Sequence, residues 1–482
     1  MRNIWYKNQT ITLLVVIALI FLYYYRLVYL YPFAATWDQV DFVLALGDFD
    51  LLKMQPHFPG YPYFILGGLL FAKAFNFGPE SLSIFNHTMV LSSCIPVYLL
   101  AREWVSHRQS LLVVLAVQSL SYSTVMIAQP MSEGAALAVV FWFLWSIVFA
   151  YKKDSLFIDL LPFFLFSFLL GIRLSYIAFG IGLAFHIYHI WRRNSRFKTI
   201  QVVIYLLFML LFQLAWVGAL AVNTGGFETL WNVAIGFSEG HFTEWGGTAG
   251  QGAPLVERLI TILFINIIWV GLLTENMILM GLFIVISILL VYQRKSVLRQ
   301  NRLFPYYLIL TSTTCYFLWA LFAQNLEKPR HILPIALLLM FFIAVQTKKK
   351  SMICLLCLWI VIHSYHGFRL LEKQATELPA VYQLEQDLRG IEDTVVYTWE
   401  ETRIFEYLQS PFSHKRVYSY DKFKHEVELN KNKTIYLTGH VIKGFEQQGA
   451  DMSAHVRKIK VYTSDPLFDP VYGQIELYEW ID

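Results

Sequence analysis

Asp38 and Asp41 stand three residues apart in Thr36-Trp37-Asp38-Gln39-Val40-Asp41-Phe42, just after a long apolar run. Residues three apart share a helix face, so the two carboxylates form a pair. In such a pair one member can take a proton as general base while the other positions it or holds a metal ion. The plainer role is keeping an extramembrane loop solvated. Downstream comes Gln55-Pro56-His57-Phe58-Pro59-Gly60-Tyr61-Pro62, where His57 and Tyr61 are candidates for substrate contact and His57 equally fits a fixed loop residue. Glu239, His241, Glu244 and Trp245 fall in a glycine-rich stretch. Their acidic and imidazole groups are of the types that hold a divalent cation or meet an acceptor, and the indole can stack on a sugar ring or anchor at an interface. Ordinary solvated loop residues are the alternative. In Asn325-Leu326-Glu327-Lys328-Pro329-Arg330-His331, basic side chains cluster at the end of a late apolar run. An arginine grips a phosphate through parallel N–H donors, with neighbouring cations adding charge; snorkelling from a helix end is the competing use. Arg173 ends another apolar run and is a further cation of this kind. Glu133 begins one, where an acidic side chain suits a helix N-terminus without any chemistry.

Membrane helices must position these residues. Of 482 residues, 57% are hydrophobic and only 15% charged, more apolar side chain than a soluble protein buries. The net charge of +4 comes from Lys/Arg clusters between apolar runs, which reads as topology signal and not as a nucleic-acid surface. Cys94, Cys315, Cys354 and Cys357 all lie inside apolar runs, so no disulfide framework follows, and the Cys354/Cys357 pair reads as packing.

A span needs roughly 20 apolar residues, and basic residues gather on the cytoplasmic side. By these rules about eleven spans are expected, near residues 11–31, 82–101, 110–128, 131–151, 156–171, 175–191, 200–222, 277–292, 304–322, 332–345 and 351–366. Residues 61–75, interrupted by Pro62, Gly67 and Gly68, are expected to lie in the interface. Residues 259–273 are expected to be interfacial or re-entrant, because crossing there would put Arg294, Lys295, Arg299 and Arg302 outside. About twelve or thirteen spans result if both segments cross. Arg2, Lys7, Arg102, Arg108, Lys152, Lys153, Arg192, Arg193, Arg196, Lys198 and Lys348 to Lys350 then mark the inner face. The N-terminus is cytoplasmic, and loops 32–81 and 223–257 face outward.

The expected fold is mainly α, a polytopic membrane helical bundle over residues 1–370, with a small extracytoplasmic α/β domain over 371–482. In that tail, 395–397, 434–437 and 459–462 read as strands and 402–409 and 441–448 as helices, pointing to a partly parallel sheet. No G-x-G-x-x-G or P-loop accompanies it, so nucleotide binding is not indicated.

Asp38 and Asp41, followed by Pro56-His57-Phe58-Pro59-Gly60-Tyr61-Pro62 and a short apolar helix, resemble the first outer loop of the GT-C superfamily. These are polyprenyl-phosphate-sugar-dependent glycosyltransferases, including protein O-mannosyltransferases and lipid A aminoarabinose transferases. Pro329-Arg330-His331 resembles a motif at the outer end of a late span in the same superfamily. The resemblance covers residues 1–370. Two departures leave the branch open: an Asp pair where some members have Asp-Glu, and His57-Phe58-Pro59 where many have adjacent prolines. The resemblance implies inverting transfer of a sugar from a polyprenyl-phosphate donor to an acceptor hydroxyl of an envelope glycan, lipid or protein, outside a bacterial plasma membrane. Asp38 would be the base, Asp41 its helper or a ligand to a divalent metal, and Arg330, with Lys328 and Arg173, the grip on the donor phosphate. His57, Tyr61, Glu239, His241, Glu244, Trp245 and His331 would face substrate. A transporter or flippase, whose hallmark is intramembrane charge, and a noncatalytic envelope-assembly scaffold are the alternatives.

Overall fold

The computed structural model describes residues 2–153, 155–192, 198–250, 253–292 and 303–481. Arg193, Arg196, Arg294, Lys295, Arg299 and Arg302 lie outside the described residues, as do the side chains of Arg2, Lys7 and Lys198. Backbone polar groups find no partner in lipid, so long apolar stretches fold as helices. Among the described residues nine helices are long and apolar enough to cross a membrane. They become ten if His107–Gln118 and Ser121–Ala128, bent by 57°, form one span. The protein is an integral multi-pass membrane protein. Leu13, Phe157, Val222 and Tyr292 are exposed on outward faces, while Tyr122, Phe143, Phe163, Tyr176, Tyr316 and Phe341 are fully buried between helices.

The bend in residues 107–128 leaves the Gln118 carbonyl without a helical partner. Arg26, buried in the first span, donates to that carbonyl and to Thr124 Oγ1. Three other segments depart from expectation, the first being Leu156–Ile172, expected to be a span but a shorter helix of 17 residues. Leu255–Leu272, expected to stay at the interface, has the length and hydropathy of a span, whereas Met277–Tyr292 is a shorter helix of 16 residues. Arg258, within the Leu255–Leu272 segment, is buried, and its guanidinium donates to the carbonyls of Gly247, Leu321 and Gln324. Residues 223–257 are not a continuous loop. Gly225 and Gly226, both at positive φ, turn the chain, and Phe227–Gly240 is helical because its apolar residues recur at helical spacing. A π-turn, His241–Trp245, follows.

The helix Lys350–Thr376 runs past residue 370 without a break, and Ala380–Leu388 opens the C-terminal domain. Its sheet contains β1 (Thr394–Thr398), β2 (Ser413–Arg416), β3 (Thr434–Thr438), β4 (Val456–Thr463) and β5 (Gln474–Trp480), in the order β2-β1-β3-β5-β4. β1 is parallel to β2 and β3, and β5 is antiparallel to β3 and β4, a partly parallel sheet as expected. All five residues of β1 are buried, as befits a central parallel strand. The carboxyl ends of β1 and β2 deliver Trp399, the helix Glu401–Tyr407 and Arg416 to the Trp37–Gly47 helix of the membrane domain.

Candidate active site between the membrane helices and the C-terminal domain

The helix Trp37–Gly47 starts where Thr36, in extended conformation, accepts the Gln39 N–H on its hydroxyl. Asp38 in the first turn suits the positive helix end. Asp38 and Asp41 therefore share a face, yet they meet different partners. Asp38, whose side chain is 33% exposed, pairs through Oδ2 with Arg330 Nη2 at 3.0 Å. Asp41 is fully buried: His57 Nδ1 lies 3.0 Å from Oδ2, and Arg403 reaches Oδ1 with Nε and Nη2, each at 2.9 Å.

The loop carrying His57 is closed by paired backbone hydrogen bonds between Asp50 and Gln55 and tied to Asn223, which accepts from Leu51 N and donates to Phe49 O. Gly60 sits at φ +84°, and a Cβ there would lie 2.8 Å from Leu220 Cδ2, so glycine is required. Tyr61 then packs edge-on against Phe42 and His57. The His57 ring stacks on Phe237, which in turn meets Trp245, so the glycine-rich segment reaches the site through these rings. His241 bonds to the Ala323 carbonyl instead of facing the carboxylates, and Glu239 and Glu244 are exposed. These three are not gathered with Asp38.

Behind Asp38 the charges alternate. Glu133, 1% exposed, lies 3.1 Å from both Arg330 Nε and Arg173 Nη2. Arg173 also donates to Ser132 Oγ at 2.9 Å and to His331 Nδ1 at 3.2 Å, which fixes His331 as neutral because a guanidinium only donates. The His331 carbonyl accepts from the Tyr316 hydroxyl. Lys328 is half-buried, and its ammonium has no hydrogen bond or ion pair among the described residues. Its charge reaches Asp38 and Glu400.

Burial pushes the Asp38 carboxyl up, but His57, Lys328, Arg330 and Arg173 outweigh it and hold it down to about 2. For His57, burial opposes the charged form; the bond to Asp41 and the charges of Asp38 and Asp41 prevail and lift the imidazole above its ordinary value. Burial also lifts the Glu400 carboxyl, against Lys328.

The expected Asp38, Asp41, His57, Tyr61, Arg173, Lys328, Arg330 and His331 thus come together. Glu133, read from sequence as a helix-end residue, is the hub joining two arginines. Arg403 was not singled out at all; it comes from the C-terminal domain, with no local pattern to mark it. Both Asp41 oxygens are engaged by His57 and Arg403, and Asp38 Oδ2 by Arg330, so of the pair only Asp38 Oδ1 is left open to a divalent cation in this arrangement. Among the described residues no group of three or more His, Cys, Asp or Glu side chains is arranged to hold a metal.

No protein-family model and no curated protein sequence matches the chain. Solved structures do. ArnT from Cupriavidus metallidurans, bound to undecaprenyl phosphate, superimposes with a TM-score of 0.53 at 11% identity, covering 97% of each chain. Its apo state gives 0.54 at 10% identity, again over 97% of both chains. The apo oligosaccharyltransferase of Archaeoglobus fulgidus gives 0.53 at 13% identity over 90% of this chain and 70% of its own. An inward-facing charge cluster under a C-terminal domain is therefore carried on a known architecture: this chain has the fold of the GT-C membrane glycosyltransferases.

Proposed function

We propose that this protein is a membrane glycosyltransferase that moves a sugar from a polyprenyl-phosphate donor to an acceptor hydroxyl outside the plasma membrane. The observation that carries this reading is the Asp38–Arg330 pair, a partly exposed carboxylate on a buried arginine at the ends of apolar helices. Undecaprenyl phosphate in the ArnT structure is the kind of ligand such a cation accepts.

The lipid tail lies among the helices and its phosphate takes the Arg330 guanidinium, with the unengaged Lys328 as second cation. Asp38 is thereby released. The phosphate's negative charge also opposes the cations that depress Asp38 and so raises its proton affinity. The acceptor oxygen attacks the anomeric carbon as Asp38 takes the hydroxyl proton. The bond from that carbon to the phosphate oxygen breaks, and the polyprenyl phosphate leaves into the Arg330–Lys328 field. One displacement inverts the anomeric centre. Asp41, held by His57 and Arg403, fixes the helix face that presents Asp38.

The test uses membranes containing wild type or Asp38→Asn, a panel of radiolabelled polyprenyl-phosphate sugars and an envelope extract. Label transfer by wild type should fall about 100-fold or more in the variant. Equal transfer would exclude Asp38 as base. No transfer from any donor would favour transport or scaffolding.

A further inference from the structure

Arg416, the last residue of β2, is packed among three rings. Its guanidinium carbon lies 4.8 Å from the Trp37 ring centre, 4.6 Å from Trp399 and 4.7 Å from Tyr418. Such stacking uses the faces of the guanidinium and leaves its in-plane N–H donors to find other partners. Arg416 Nε is buried without a hydrogen-bond partner, and so is Trp37 Nε1. No carboxylate pairs with Arg416 among the described residues. Arg26, Arg173 and Arg330 also carry a buried Nε without a hydrogen bond, but each donates through another nitrogen to a carbonyl, hydroxyl or carboxylate, as do Arg258 and Arg403. Arg416, by contrast, has no hydrogen bond or ion pair to the protein among the described residues. A buried donor left unsatisfied destabilises a fold, so two of them in one cluster point to a missing acceptor of hydrogen bonds.

The place of the cluster suggests what that group belongs to. Trp37 immediately precedes Asp38, and its ring lies under both Arg403 and Arg416. Arg330 meets Asp38 from the membrane helices, whereas Arg416 stands on the C-terminal domain. Tyr418, 56% exposed, opens the cluster to solvent. We propose that Arg416, walled by Trp37, Trp399 and Tyr418, is an anion subsite that holds a phosphate or carboxylate of the acceptor. Its assignment to the acceptor rests on the transferase reading; the site for an oxyanion does not. An acceptor anchored there approaches Asp38 from the domain side, opposite the cation assigned to the donor phosphate.

Full-length protein in a nonionic polyoxyethylene detergent, which contributes neither phosphate nor sugar, is titrated with glycerol 3-phosphate, glycerate and glycerol. Saturation-transfer NMR follows ligand binding. The background is Arg330→Gln, so that the donor cation does not contribute. Both anions should bind, glycerol should not, and adding Arg416→Gln should weaken the anions about tenfold or more. Unchanged anion binding, or glycerol binding as well as the anions, would overturn the subsite. Thermal unfolding reports whether the variant is folded. If it is not, Arg416→Lys supplies the comparison: the planar fork is lost with the charge kept, so weaker binding of both anions supports the subsite and unchanged binding overturns it. Displacement of glycerate by added phosphatidylglycerol would assign the cluster to a membrane headgroup and overturn the acceptor assignment. Binding is read without turnover, so failure here and failure of the transferase reading are separate results.

Discussion

Asp38 and His57 are tuned in opposite directions by the same neighbourhood. Because the His57 imidazole is lifted above its ordinary value of about 6.5, the stability it contributes is complete below that value and is lost as pH rises through the raised one. The wild-type unfolding temperature should therefore fall between pH 6 and pH 9 by more than that of His57→Asn; parallel profiles would contradict the charged His57–Asp41 pair. Asp38 is depressed, so its contribution is present above its ordinary carboxylate value and lost only as pH falls toward about 2. It stays ionised over the physiological range. Glu133 has a different task, separating two arginines that would otherwise face each other. Glu133→Gln leaves Arg173 buried without a carboxylate and Arg330 with Asp38 alone, and should cost about 3–5 kcal/mol, read by thermal unfolding in detergent. A change below about 1 kcal/mol would mean that water or lipid already compensates them.

The elements that carry the site differ in how visible they were beforehand. The Trp37–Gly47 helix and the Pro329–Ile332 turn were legible because chemistry-bearing residues cluster locally in each: Asp38 with Asp41, and Lys328 with Arg330 and His331. Loop 50–60 was legible for the same reason, its prolines and Gly60 bracketing His57. Glu133 was misread because its meaning lies in two arginines arriving from residues 173 and 330, a convergence that no local pattern encodes. Phe227–Gly240 reads as loop by composition because flanking glycines dominate it; the helical spacing of its apolar residues is the signal that points to the helix. Residues 255–272 were hard to place for a third reason: the basic residues Arg294, Lys295, Arg299 and Arg302 argue in sequence against two crossings, a rule blind to packing, whereas the apolar helix itself tolerates Arg258 because the carbonyls of Gly247, Leu321 and Gln324 satisfy it.

At the scale of the whole molecule, the C-terminal domain is part of the site. Arg403 reaches across 362 positions of sequence to Asp41, which explains why the tail looked separable when read alone. Arg403→Ala should lower kcat about 10- to 100-fold with donor affinity unchanged, because Arg330 is untouched while Asp41 loses a buried partner. Glu406→Gln, altering only the exposed partner of the same guanidinium, should be near wild type. Loss of donor affinity in Arg403→Ala would mean that the domain shapes the lipid site instead. The arrangement puts the tail on the same side of the membrane as Asp38, and the proposed transfer puts both outside. A cysteine in place of Glu372 should be labelled by a membrane-impermeant maleimide in intact cells, and one in place of Lys349 only after lysis; the reverse pattern would invert the topology.

The division of labour between Asp38 and Arg330 is central, and it separates in a single comparison. Donor binding and single-turnover sugar transfer are measured side by side for wild type, Asp38→Asn and Arg330→Gln with the same polyprenyl-phosphate sugar. The transfer mechanism predicts that Asp38→Asn binds the donor at least as tightly as wild type, since Arg330 is freed, yet transfers about 100-fold or more slowly. Arg330→Gln should lose donor binding. Normal transfer by Asp38→Asn, or normal donor binding by Arg330→Gln, would contradict it.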